Sequence, residues 1–228
     1  PSITTQEYVI VSPGVRIAIV VECRLADGET RGVFPLVSTP HNDSLKYMGR
    51  NTGVYHGVLG LFEVHEATEP VKELILPRAN KGKNLMPLTD KDEHIERFHV
   101  TFSSGPPQLR DGVMYKSYFM NNQLFSLTER YKMRLNVLHE WTLENVASPD
   151  EKNHPFHLHS NPFQVVSMTH GHGLDYSPGD WRDTITLPNG GNTTIRFRPT
   201  DYLGLVAAHC HILGHADVGM GMLVEIIP

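Results

Sequence analysis

A chain of 228 residues has room for one large domain or two small ones with an apolar interior. With 39% hydrophobic and 20% charged residues it is neither disordered nor fibrous. Twenty Lys+Arg against 25 Asp+Glu give a net charge of −5, which speaks against a dedicated nucleic-acid binder. No apolar run approaches the roughly 18 residues a membrane span needs, so no membrane partner is expected. The start at Pro1, without a Met or a charged-then-apolar leader, sets the expectation that a signal peptide is absent or already removed. Only Cys23 and Cys210 are present, so a disulfide scaffold is excluded.

Glycine and proline punctuate the chain, and the short runs between them have β character. Residues 1–66 read as a small first unit, in which Val15 to Val21 is rich in β-branched residues. Four or five strands are few for an independent sandwich, so this unit is expected to lean on something outside the chain. Residues 67–93 read as a linker, polar and broken around Glu66 to Pro70 and Asn80 to Asn84. Residues 94–228 are long enough for a complete domain. Here Ile95 to Phe102, Arg134 to Leu138, Phe163 to Met168, Thr194 to Arg198 and Met222 to Ile227 read as strands. Ile195 and Phe197 alternate with Arg196 and Arg198, the pattern of a half-buried strand. No stretch keeps a helical period. The expected class is all-β, a sandwich or a barrel.

Fourteen histidines are the unusual count, and six of them fall in two short clusters. The first is His154-Pro155-Phe156-His157-Leu158-His159; the second is His209-Cys210-His211-Ile212-Leu213-Gly214-His215, followed by Met220. In a strand, residues i and i+2 share a face. His157 and His159 can therefore share one face, as can His209 and His211, while Cys210 must point the other way. One strand would then serve two metal centres back to back. Cys210, His215, Met220 and His154 supply one thiolate, two imidazoles and a thioether, the set expected of a blue-copper site. Zinc favours closed tetrahedral sites with paired cysteines, which a lone thiolate fits less well. Four imidazoles on the other face, His157, His159, His209 and His211, suit copper or zinc rather than magnesium or calcium.

An isolated His-x-His pair is structural as often as functional. Two pairs, one wrapped around a Cys with a further His and Met behind it, leave little room for a structural reading. His41, His56, His65, His94, His99 and His139 are scattered and receive no role. His170 and His172 read as a solvated turn rather than the rim of a substrate pocket, and Cys23 as a buried free thiol. Asn42-Asp43-Ser44 and Asn192-Thr193-Thr194 match the glycosylation acceptor pattern.

His154 to His159 and His209 to His215 with Met220 resemble the copper motifs of the last cupredoxin domain of a three-domain multicopper oxidase, the laccase and ascorbate oxidase group. Gly179 to Ile185 and Glu140 to Asn145 add to the resemblance, and Ser12 to Arg16 with Tyr47 to Val64 resemble the second half of the middle domain. It implies a cupredoxin-like Greek-key β-sandwich, complete over 94–228, with 1–66 as the C-terminal part of a middle domain. It implies type 1 copper ligands in His154, Cys210, His215 and Met220, a type 2 ligand in His157, and type 3 ligands in His159, His209 and His211. Electrons from a reducing substrate would pass through Cys210 to His209 and His211, and dioxygen would be reduced to water at a trinuclear cluster.

Two departures stand out. The family's cluster uses four more histidines from two further His-x-His motifs, and residues 1–153 hold no such motif. The resemblance therefore implies a partner, an N-terminal fragment or subunit that supplies four further histidine ligands. Second, many bacterial members carry a Glu where this chain has Gly214, which leaves Asp217 as a candidate for proton delivery. The expected function is a laccase-like oxidase of small-molecule or metal-ion reductants. The alternative is a blue-copper electron carrier with the type 1 centre alone, which would have no use for histidines on both sides of the Cys. A secreted or periplasmic location is the family expectation.

Overall fold

A computed structural model of the chain describes residues 9, 11–38, 57–69, 88, 94–148, 153–169 and 176–228. The Asn42 glycosylation pattern, His41, His56, His170, His172 and most of 67–93 lie outside the described residues. The chain divides into two compact units, Pro1–Arg16 with Lys81–Pro228, and Ile17–Asn80.

In the smaller unit β1 (Arg31–Ser38) pairs antiparallel with β2 (Gly57–His65), with an irregularity between Leu36 and Val37. Val33, Leu36, Leu59, Leu61 and Phe62 remain exposed on this ladder. The β-branched run from Val15 to Val21 forms no strand, and Ile19, Val20 and Val21 are exposed. β-propensity needs a neighbouring strand to take up the backbone hydrogen bonds, and this run has none among the described residues.

The larger unit is a sandwich of two sheets. One is six-stranded, in the order β11 (Trp181–Arg182), β10 (Phe163–Met168), β13 (Asn192–Phe197), β8 (Leu138–Asn145), β3 (Ile95–Ser104) and β6 (Tyr118–Met120). The other is five-stranded, in the order β12 (Thr184–Leu187), β9 (His154–Leu158), β14 (Gly204–Cys210), β15 (Gly221–Ile227) and β7 (Arg130–Arg134). Most pairs are antiparallel; β3 with β8 and β15 with β7 are parallel. β4 (Gln108–Arg110) and β5 (Val113–Tyr115) form a separate ribbon. Among the described residues α1 (Leu213–Ala216) is a single helical turn. The mostly β fold is consistent with a cupredoxin-like domain.

Alternating side chains from both sheets close one core. Phe102, Trp141, Phe163, Ile195 and Phe197 enter from the first sheet; Met133, Phe156, Leu158, Ile185 and Val224 from the second. Three readings of the sequence change here. β8, not named among the strands from sequence, carries Trp141 and Leu143 into the core at the centre of its sheet, alternating with outward Glu140, Thr142 and Glu144. Those outward acids are satisfied by neighbours, Glu140 by Arg97 and Arg196. The polar side of β13 is accordingly less open than alternation implies, since Arg196 is buried by that pairing. Arg134 to Leu138 is not one strand: Arg134 ends β7, Leu138 opens β8, and Leu135 to Val137 form the turn between them, with Asn136 in the left-handed region (φ 64°).

Candidate metal centres

The site is built by β9, β14 and the turn that follows β14. β9 and β14 pair antiparallel with His209 opposite His157 and Cys210 opposite Phe156. Directly opposed residues on neighbouring strands share a face, so this register separates two sets of ligands. His154, Phe156 and Leu158 turn inward, as does Cys210, whereas His157 and His159 lie on the other side with His209.

On the inner side His154, Cys210 and His215 converge, all buried. Cys210 Sγ lies 3.7 Å from His154 Nδ1 and 3.8 Å from His215 Nδ1, and the two Nδ1 atoms are 3.2 Å apart. Donors held about 2.0–2.3 Å from one ion stand roughly this far from each other. Two imidazoles and one thiolate in a compact triangle, with a thioether residue close in the chain, are a copper-type donor set. The turn holds this geometry through the backbone: Met220 N–H donates to His215 O (3.0 Å) and Cys210 N–H donates to Met220 O (3.1 Å). Met220 is fully buried. Tyr118 stacks on His215 with ring centroids 3.7 Å apart, and Phe102 and Tyr118 flank His154. Burial pushes the Cys210 thiol up to about 12, against a weaker opposing hydrogen bond from the Ile212 backbone. The thiol is therefore protonated until a cation displaces its proton.

On the outer side His157, His159 and His209 form a second group of ligand atoms. His159 Nε2 and His209 Nε2 are 3.0 Å apart. His211 stands beside them, its ring centroid 5.4 Å from that of His157 and 5.5 Å from that of His209, but outside the tight group. The tautomers are set from behind. His209 Nδ1–H donates to Cys210 O (2.8 Å) and His157 Nδ1–H to Asp183 O (2.8 Å), which frees each Nε2. Desolvation, ahead of the neighbouring imidazoles, lowers the pKa of both His157 and His209. Neutral imidazoles with a free Nε2 are the form that binds a metal. The residues present therefore fit copper on both faces.

All eight singled-out residues thus lie around β9, β14 and the following turn. Sequence reading passed over the groups that support them: Tyr118 behind His215, Asp183 and Thr184 behind His157, and Arg16, which pairs with Asp183. Burial would raise the Asp183 pKa, but hydrogen bonds from Arg16 and Thr184 outweigh it and hold the carboxyl below its ordinary range. Their only trace in the sequence is the Ser12 to Arg16 and Gly179 to Ile185 resemblance, which carries no spacing rule. Asp217, the proton-delivery candidate, is exposed at the end of α1.

A sequence profile described as multicopper oxidase matches residues 99–228. Laccase-6 of rice (Oryza sativa subsp. japonica) is 35% identical over 103 residues, 41% of this chain and 18% of its own length. A multicopper oxidase of Staphylococcus haemolyticus is 26% identical over 196 residues, 79% of this chain and 42% of its own. The chain thus spans less than half the length of these curated relatives. Among solved structures, a laccase from Pediococcus acidilactici superposes with a TM-score of 0.55 at 25% identity, covering 73% of this chain and 33% of that one. The McoA multicopper oxidase of Aquifex aeolicus shares the fold, with a TM-score of 0.64 at 18% identity over 89% of this chain and 42% of that one. A profile that runs through both ligand clusters, over donors that the fold does gather into two groups, makes this chain a member of the multicopper oxidase family.

Proposed function

We propose that this chain is the copper-holding C-terminal part of a laccase-like, three-domain oxidase. In this reading 1–66 closes a middle domain, 67–93 is the linker, and 94–228 is the last Greek-key cupredoxin domain. His154, Cys210, His215 and Met220 would hold a type 1 copper, His157 a type 2 copper, and His159, His209 and His211 the type 3 pair. Copper bound at these residues supplies one-electron oxidation of a small-molecule or metal-ion reductant and the reduction of dioxygen to water.

The chain's own residues prepare for this in three ways. Phe102, Phe156 and Tyr118 exclude water around Cys210, which strengthens electrostatic interactions there. His209 and Cys210 are consecutive, and the His209 Nδ1–H to Cys210 O hydrogen bond adds a second link between the two groups. His159 is exposed, so the outer group is open on one side, which supports completion by four histidines from an N-terminal region or partner chain. A secreted or periplasmic location belongs to the same proposal.

One observation carries the reading: neighbouring residues of β14, His209 and Cys210, belong to different ligand groups. Copper loading of the chain tests it. The expected result is an intense thiolate-to-copper band, lost in Cys210→Ser and retained in His209→Ala, with fewer coppers bound in the latter. Equal loss of the band in both variants would contradict the two-sided arrangement. Copper bound only at the Cys210 side, with none on the outer histidines, would favour the electron-carrier alternative.

A further inference from the structure

The segment Ser12 to Arg16 lies against the outer histidine group without supplying a ligand to it. Gly14 has φ +79°, a conformation that favours glycine. A Cβ placed on it would come 2.4 Å from His211 Cδ2 and 2.5 Å from His211 Cγ. Bare backbone therefore lies against the His211 ring, closer than any side chain would allow. Two residues earlier, Ser12 is buried, and the Thr186 hydroxyl of β12 donates to its Oγ. Two residues later, Arg16 donates to a carboxylate oxygen of Asp183. The segment is thus pinned on both sides of Gly14.

The Arg16 anchor leads to a second ligand. The Thr184 hydroxyl donates to Asp183 Oδ1 (3.1 Å), so its oxygen faces His157 Nδ1 as an acceptor, 2.9 Å away. The Asp183 carbonyl accepts from the same nitrogen at 2.8 Å. Both partners require the proton on Nδ1. Arg16 holds the carboxylate that orients the Thr184 hydroxyl, and so acts on His157 through two intermediates.

We propose that Ser12 to Arg16 is a strap that positions the outer imidazoles: Gly14 sets the seat of the His211 ring, and Arg16, through the Asp183 carboxylate, orients the Thr184 hydroxyl that reinforces the His157 Nδ1–H form held by the Asp183 carbonyl. Gly14 and Arg16 are positioning residues. The inference rests on the outer group being a metal site, but its main readout needs no metal.

The test uses the full 228-residue chain, metal-free and 15N-labelled at histidine, with long-range 1H–15N correlations recorded at pH 8. His157 should be Nδ1-protonated in the unmodified chain. In Arg16→Ala the His157 ring-nitrogen signals should shift as the Thr184 contact loosens, while the Asp183 carbonyl keeps the proton on Nδ1, and Arg16→Lys should restore much of the original signal. In Gly14→Ala the His211 ring signals should move while the near-ultraviolet spectrum of the core aromatics is kept. A second readout is zinc titration in a Cys210→Ser background, which disables the inner group. Either strap variant should weaken zinc binding there by about ten- to a hundredfold, the usual effect of losing a group that orients a ligand. If Gly14→Ala does not fold, Arg16→Ala decides alone, because Arg16 is largely exposed and tolerates truncation. Unchanged His157 signals in Arg16→Ala would overturn the Arg16 role, and unchanged His211 signals in folded Gly14→Ala the Gly14 role. Absence of zinc binding in the unmodified strap would instead count against the metal reading, while the His157 and His211 ring signals still decide the strap.

Discussion

Burial gives individual side chains in this protein their chemical character. Phe156 is fully buried between the ligand strand and the core, with Phe102 and Phe163 each 5.9 Å away by ring centroid. Phe156→Ala should cost about 3–5 kcal/mol, measured by urea unfolding of the metal-free chain. A loss under about 1 kcal/mol would mean that the core collapses into the gap. His139 has no exposed surface, stacks on Phe197 and donates Nε2–H to Arg134 O (3.0 Å). Desolvation lowers its pKa, only partly offset by that hydrogen bond and by Glu96. Above an ordinary imidazole pKa near 6.5 it is neutral in both the folded and unfolded chain. As pH falls below that value the unfolded chain takes up a proton that the folded chain resists, so stability declines. The decline should continue down to the folded pKa, with a slope contribution of at most about 1.4 kcal/mol per pH unit. Thermal unfolding from pH 8 to pH 5 should show it, and His139→Gln should flatten the slope.

Elements decide which of these side chains meet. Cys210 and His209 differ by one position, and the two-residue period of β14 is enough to send them to opposite sides. A slip of one residue between β9 and β14 would put His157 and His159 on the side of Cys210 and His154 on that of His209, so the pairing of His209 with His157 matters as much as the side chains themselves. The turn after β14 is held differently. α1 has no side-chain cap at Ile212, and Gly214 lies exposed in the middle of its four residues. A Cβ at Gly214 would meet nothing within 4 Å. Gly214→Ala should therefore raise stability by up to about 1 kcal/mol, through the lower helix propensity of glycine. A fall in the thermal midpoint would show that the turn needs glycine for a reason other than propensity. The same open space accepts a longer side chain, so Gly214→Glu should fold normally.

The molecule as a whole is unevenly consolidated. The larger unit joins two sheets over one closed core, whereas the described strands of the smaller unit are a two-stranded ladder with exposed apolar residues. Two strands alone are marginal in water. In hydrogen exchange of the isolated chain, the amides of β1 and β2 should exchange well before those of β8, β13 and β14. Equal protection would show that something covers that ladder. Such cover would fit the proposed N-terminal region or partner chain, and adding that partner should slow exchange in β1 and β2.

From the sequence alone, the two histidine clusters and the single thiol between His209 and His211 determined which residues are candidate ligands. Strand period alone determined that Cys210 must part from its neighbours, because alternation is a local property of extended backbone. Local signals also located β3, β10 and β15, whose apolar residues are close together in the chain. Tertiary structure decided the rest, since it depends on contacts between distant segments. It buried Arg196 by bringing Glu140 beside it, made Leu135 to Val137 a turn, and left Val15 to Val21 out of every described strand. It also brought Ser12 to Arg16 against β12 and the outer imidazoles, more than 160 positions away in the case of Arg16 and Asp183 (separation 167). No periodicity encodes such a pairing; only the folded chain makes those residues neighbours.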